Sequence, residues 1–219
     1  MTPLSAPEPF DLWSIDLLEW PSAEQRRWLS TPELERAARF VFEGDQRRYL
    51  AAHCGLRRAL SNRTGLAPAS LQFQEGVYGK PSLIHAGSCA FNMSHSQDVA
   101  LIVMASSGEI GVDIEVLRPM PDALALARQN FNDSECDELL ASPPPDQSLA
   151  FLRGWTRKEA CLKAIGSGLS IAPKTFVAGL GSDTRRVCIP TSAGPASVRI
   201  HSFMHGPNIV GSLAIIEDD

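Results

Sequence analysis

Gly111-Val112-Asp113-Ile114-Glu115 and Trp155-Thr156-Arg157-Lys158-Glu159-Ala160-Cys161-Leu162-Lys163 are the two stretches that decide how the chain is read. In the first, Ile110, Val112, Ile114 and Val116 alternate with Gly111, Asp113, Glu115 and Leu117, the period of a β-strand. Residues two apart on a strand share a face, so Asp113 and Glu115 present their carboxylates side by side. The second has the character of a helix, on which residues four apart share a face. Trp155, Glu159 and Lys163 then form one stripe. A helix packed on that strand brings three carboxylates together beside a lysine. Such an oxygen-rich set suits Mg²⁺, and a lysine next to it suits phosphate.

The two stretches together resemble the signature of the 4′-phosphopantetheinyl transferases, G-[IV]-D-[IVL]-E followed by W-[ST]-x-K-E-[AS]-x-x-K. The resemblance is to the large monomeric, surfactin-synthetase-activating branch, and it extends over about residues 30–176. It implies a pseudo-dimer of two similar α+β halves with the active site in the cleft between them. It also implies transfer of the 4′-phosphopantetheine arm of coenzyme A to a serine of an apo acyl or peptidyl carrier protein, with release of adenosine 3′,5′-bisphosphate. On that reading Asp113, Glu115 and Glu159 hold Mg²⁺, while Asp113, Glu159 and Lys163 are the catalytic set.

Further motifs follow the family order. Arg36 to Arg48 reads R-x-x-R-F-x-F-x-x-D-x-x-R and resembles the basic region that meets the coenzyme's 3′-phosphate, a role carried to Arg36 and Arg48. A lysine found upstream in some relatives is replaced by Glu33. Tyr78-Gly79-Lys80-Pro81 resembles the G-K-P turn, where Gly79, Lys80 and Pro81 approach an adenine. Phe91-Asn92-Met93-Ser94-His95-Ser96 resembles F-N-x-S-H-S, which makes Ser94 and His95 coenzyme contacts. Lys158 and Lys163 are further candidates for phosphate oxygens. Phe131-Asn132-Asp133-Ser134-Glu135 resembles F-[ST]-x-x-E, with Asn132 in the hydroxyl position.

Composition is consistent with this and excludes other classes. The 219 residues are 44% hydrophobic and 21% charged, ordinary for a folded soluble protein. The net charge of −5 gives no general attraction to nucleic acid. Nine arginines between Arg26 and Arg63 nevertheless make a basic lobe suited to an anionic ligand. No apolar run reaches the length of a membrane span, and the first residues lack the pattern of a signal peptide. The five cysteines form no CxxC pair, so reduced thiols and a cytoplasmic location are expected, and the resemblance implies a monomer.

Secondary-structure signals complete the expectation. A strand is expected at 12–18 and a helix opening at Pro21-Ser22, with further helix starts at Thr31 and at Asp45. Strands follow at 71–73 and 99–104, and helices at 122–130, 133–141 and 147–165. Strands near 174–178, 187–190, 197–203 and 209–216 end the chain. Gly65-Leu66 with Phe73, and Gly168-Leu169 with Phe176, mark an internal repeat. The halves are placed at 1–105, with the basic helices and coenzyme A contacts, and 106–219, with the metal site and carrier contacts. Leu169 and Ile171 are the expected apolar carrier contacts. Two other functions fit a similar residue set: a metal-dependent nuclease, disfavoured because no lysine follows Glu115, and a coenzyme A or carrier-protein binding module without chemistry.

Overall fold

The computed structural model describes residues 1–84 and 89–217, Leu169 by its backbone alone. Contacts divide the chain into two units, Met1–Glu75 with Pro81–Ser107, and Gly76–Lys80 with Gly108–Asp219. The division falls after Ser107, and residues 76–80 go with the second unit.

The first unit is built on the apolar run Val99–Ala105, whose residues 100–105 are all buried. Strands β1 (Thr2–Leu4) and β2 (Asp11–Asp16) precede helices α1 (Ala23–Arg26), α2 (Thr31–Ala38) and α3 (Glu43–Thr64). After the short hairpin β3 (Phe73–Glu75) and β4 (Pro81–Leu83) come β5 (Ala90–Ser96) and β6 (Val99–Ala105). The antiparallel sheet runs β1-β2-β6-β5. One face of α3 is apolar: Ala52, Leu56, Ala59 and Leu60 pack with Ile15, Leu17, Phe91, Ile102 and Met104. Local chemistry differs from expectation at two helix starts. Ser30, not Thr31, caps α2, its N–H and hydroxyl both donating to Glu33 at 2.7 Å. Phe42 holds the cap position of α3, so Asp45 lies inside the first turn, where an acid still favours the helix dipole.

The second unit contains β7 (Ile110–Val116), α4 (Ala123–Asn130), α5 (Asp133–Ala141), α6 (Gln147–Ile165), β8 (Arg185–Thr191), β9 (Gly194–His205) and β10 (Ile209–Glu217). Its antiparallel sheet runs β7-β10-β9-β8, with Asp113 opposite Ser212. Helix α6 lies on β7 and β10. Gly111 allows that approach, because a Cβ there would clash with Ala160 O and Ala164 N of the helix backbone. The strand expected near 174–178 is instead a 3₁₀ turn, Pro173–Thr175, followed by extended chain. Pro173 lacks an N–H for a strand ladder, and Lys158 occupies the carbonyls of Pro173 and Phe176.

The two units share one internal device. In the first, Glu33 in the opening turn of α2 accepts Arg57 from the long helix α3 at 2.7 Å. Arg57 is 2% exposed, donates to Pro68 O and Leu71 O, and lies 5.0 Å from the centre of the Phe73 ring. In the second, Glu135 in the opening turn of α5 accepts Lys158 from the long helix α6 at 2.7 Å. Lys158 is 0% exposed, donates to Pro173 O and Phe176 O, and lies 4.7 Å from the Phe176 ring centre. A buried cation is tolerated only when its donors are satisfied, and both solutions use a capping carboxylate plus the carbonyls after the helix. Both long helices end on a left-handed glycine, Gly65 at φ 75° and Gly166 at φ 72°. The repeat is therefore in register at Gly65 and Gly166; Gly168 opens the following 3₁₀ turn.

Candidate active site

In the second unit, strand β7 and helix α6 carry Asp113, Glu115, Glu159 and Lys163, the candidate site residues. Asp113 is 6% exposed on the β7 face that meets α6. Lys163, near the end of α6, places Nζ 2.7 Å from Asp113 Oδ1. Glu159, one turn earlier on the same stripe, has its carboxyl raised above the ordinary range, chiefly by burial and then by the charge of Asp113. Lys163 partly opposes that rise and Glu115 adds to it. The four groups therefore share one electrostatic environment. Glu115 also accepts Arg118 Nη1 at 2.8 Å. Trp155, the third member of the stripe, packs against the cluster formed by α4, α5 and α6.

Asp113, Glu115 and Glu159 were expected to close on a metal. Among the described residues no three His, Cys, Asp or Glu side chains are gathered tightly enough to enclose an ion. The donor set itself, carboxylate oxygens in one acidic neighbourhood, fits a hard cation such as Mg²⁺.

Lys158 departs from expectation. Its ammonium is enclosed by Glu135, Pro173 O and Phe176 O, one acceptor for each of its three donors. Burial lowers its pKa, and Glu135 opposes that shift. The phosphate contact expected of Lys158 gives way to a structural role. Glu135 was missed as its partner, although its place three residues after the capping Asn132 signals a capping box. The Lys80 side chain is likewise engaged, by Glu109 at 2.6 Å and by Ala164 O at 2.8 Å, where a cation suits a helix C-terminus. Gly79, at φ 81°, shapes the adjoining turn. An open cavity of about 720 Å³ is lined by Tyr78, Ile165, Ser170, Ile171, Thr175 and Thr191. Ile171 packs partly into the core under α6, and the side chain of Leu169 lies outside the described residues.

In the first unit, Ser94 is buried and His95 exposed near the end of β5. Pro81 opens β4. Arg36 is exposed on α2 with its guanidinium 5.7 Å from the centre of the Tyr49 ring. Arg48 on α3 donates to Asp45 at 3.0 Å and to Asp98 at 2.9 Å. Glu33 is no surface substitute for a phosphate-binding lysine. Burial by itself would raise its pKa, yet hydrogen bonds from His53, Arg57 and Ser30 hold it well below the usual carboxylate range. All five cysteines are free, and burial pushes the Cys54 and Cys161 thiols up to about 12, which removes both as nucleophiles. No helix among the described residues is long and apolar enough to cross a membrane.

Comparison with known proteins agrees with these features. The family model described as "4′-phosphopantetheinyl transferase superfamily" matches residues 109–205, and one described as "4′-phosphopantetheinyl transferase, N-terminal" matches residues 12–108. The 4′-phosphopantetheinyl transferase HetI of Nostoc sp. is 38% identical over 164 residues, 73% of this chain and 69% of that protein. The 4′-phosphopantetheinyl transferases ffp and Sfp of Bacillus subtilis are 31% and 29% identical. Those matches cover 87% and 82% of this chain, and 80% and 79% of the respective relatives. Neither the nuclease nor the non-catalytic alternative finds support among these relatives. With both halves matched and the strand-and-helix signature intact on β7 and α6, the chain belongs to the 4′-phosphopantetheinyl transferases, enzymes that transfer phosphopantetheine to carrier proteins.

Proposed function

We propose that this protein moves the 4′-phosphopantetheine arm of coenzyme A onto a serine of an apo acyl or peptidyl carrier protein in an Mg²⁺-dependent reaction. The observation that carries the reading is the 2.7 Å contact between Lys163 and Asp113, with Glu159 and Glu115 in the same electrostatic neighbourhood. Asp113, Glu115 and Glu159 would hold Mg²⁺, which when bound supplies charge neutralisation on the pyrophosphate.

The chain's own groups do the rest. The Lys163 ammonium and the His95 ring contact phosphate oxygens as negative charge grows on the departing adenosine bisphosphate. Glu159 accepts the proton of the attacking serine. Arg36 and Arg48 bind the 3′-phosphate. Gly79, Lys80 and Pro81 contact the adenine through backbone and ring atoms, and Ser94 adds a hydroxyl. The carrier meets the second unit along α6 and the segment after it.

The test is a transfer assay with coenzyme A, Mg²⁺ and a panel of apo carriers, read as the mass gain of the carrier. Transfer that needs both coenzyme A and Mg²⁺ supports the reading. Absence of transfer to every carrier, with coenzyme A still bound, rejects it.

A further inference from the structure

We propose that Asp98, in the turn after β5, is a positioning residue for coenzyme A, gathering Arg47 and Arg48 on one carboxylate oxygen so that Arg48 meets the 3′-phosphate in a fixed orientation. The proposal rests on the assignment of Arg48 to that phosphate.

Asp98 Oδ1 accepts Arg47 Nη2 and Arg48 Nε, both at 2.9 Å. Asp45 Oδ1 accepts Arg48 Nη1 at 3.0 Å. Two of the three guanidinium nitrogens of Arg48 are thereby fixed, and Nη2 donates to neither carboxylate. A guanidinium held by its neighbours loses less freedom when a ligand arrives.

The clamp is itself anchored. Arg47 Nε donates to Leu17 O, and Leu17 N donates to Asp98 O at 2.8 Å, tying the turn to the end of β2. Gln97 sits at φ 51°, a left-handed conformation that a residue with a side chain rarely adopts and that neighbouring structure must enforce. His95, a second proposed phosphate contact, lies three residues before Asp98 on the same hairpin. The hydrogen bond from Arg48 holds the Asp98 carboxyl below its ordinary range, so it stays ionised at neutral pH.

A carboxylate near a phosphate site also repels the ligand, which makes the sign of its removal diagnostic. Positioning and repulsion predict opposite changes.

The experiment compares the dissociation constants of coenzyme A and dephospho-coenzyme A by calorimetry for the wild type, Asp98→Ala, Asp98→Asn and Arg48→Ala, with thermal melts alongside. Arg48→Ala should lower the preference for coenzyme A by about tenfold, the scale of one charge-assisted contact. Asp98→Ala should lower it by about fivefold, and Asp98→Asn, which keeps an acceptor oxygen, by less. A preference that rises on removing Asp98 overturns the proposal and makes the residue a competitor of the phosphate. Equal weakening of both ligands overturns it and makes the residue structural. No loss of preference in Arg48→Ala removes the underlying assignment, and the proposal with it.

Discussion

Lys158 Nζ lies 2.7 Å from Glu135 Oε2, and neither side chain is more than 1% exposed. Glu135 Oε1 also accepts the N–H groups of Ala178 and Gly179 at 2.8 Å. This one pair joins α5, α6 and the chain after α6. Removing one partner of a buried pair leaves an uncompensated charge, at a cost of about 3–5 kcal/mol. Glu135→Ala should destabilise the protein by that amount in urea denaturation. Lys158→Met should also lower stability, yet activity per folded molecule should stay within a few-fold of wild type. A large fall in kcat with an unchanged melt would restore Lys158 as a phosphate contact.

Lys163→Met keeps the length of the side chain and removes its charge beside Asp113. The loss of one preorganised electrostatic contact costs about a hundredfold or more in kcat. The variant should fold, because Lys163 lies at the partly exposed end of its stripe. Asp113→Ala should lose transfer on a similar scale while retaining its circular dichroism spectrum. Near-normal Mg²⁺-dependent transfer in both variants would remove the site from β7 and α6.

Gly111→Ala places a methyl group against the carbonyl of Ala160 and the amide of Ala164. Backbone cannot yield as a side-chain tip can, so α6 must shift off β7. Overpacking of this kind costs about 1–3 kcal/mol. The melt should fall, and kcat should drop by more than the unfolded fraction explains, since the shift separates Lys163 from Asp113. A lowered melt with kcat unchanged per folded molecule would mean that the helix finds the same seat.

Glu33 gives a pH dependence with a definite sign. Its carboxyl in the folded protein is held well below its ordinary value of 4.5 by His53, Arg57 and Ser30. The stability it contributes is thus complete above that value and is lost as pH falls toward the folded pKa. Denaturation series between neutral pH and about pH 3 should show wild-type stability declining, with a shallower decline for Glu33→Gln. Parallel curves for the two proteins would show that other carboxyls govern the acid limb.

Arg36→Ala removes an exposed guanidinium that lies 5.7 Å from the centre of the Tyr49 ring. It should weaken coenzyme A by about tenfold while leaving dephospho-coenzyme A nearly unchanged. Equal weakening of both would place Arg36 outside the 3′-phosphate contact.

Alternation in 110–116 identified β7, and the motif within 147–165 identified α6 as a helix. The family signature added which carboxylates and which lysine belong together, and the 2.7 Å contact of Lys163 with Asp113 agrees with it. Lys158 and Glu159 show where a linear reading stops. They are adjacent in sequence, but a helix turns about 100° per residue, so one faces the core and the other the acidic neighbourhood of β7. Which face is which depends on the partner, and Glu135 lies on another helix. Glu33 is the same case: beside a basic motif it reads as a lost cation, and only the approach of Arg57 from α3 makes it the counter-charge of a buried guanidinium. Asp45, expected to cap α3, and the segment 174–178, expected to be a strand, turned on different points. The first is a local matter of where the helix begins, two residues before Asp45; the second is tertiary, because a buried lysine claims the carbonyls. Local propensity sets what a segment can do; desolvation of charges, and the distant groups that relieve it, settled what these residues became.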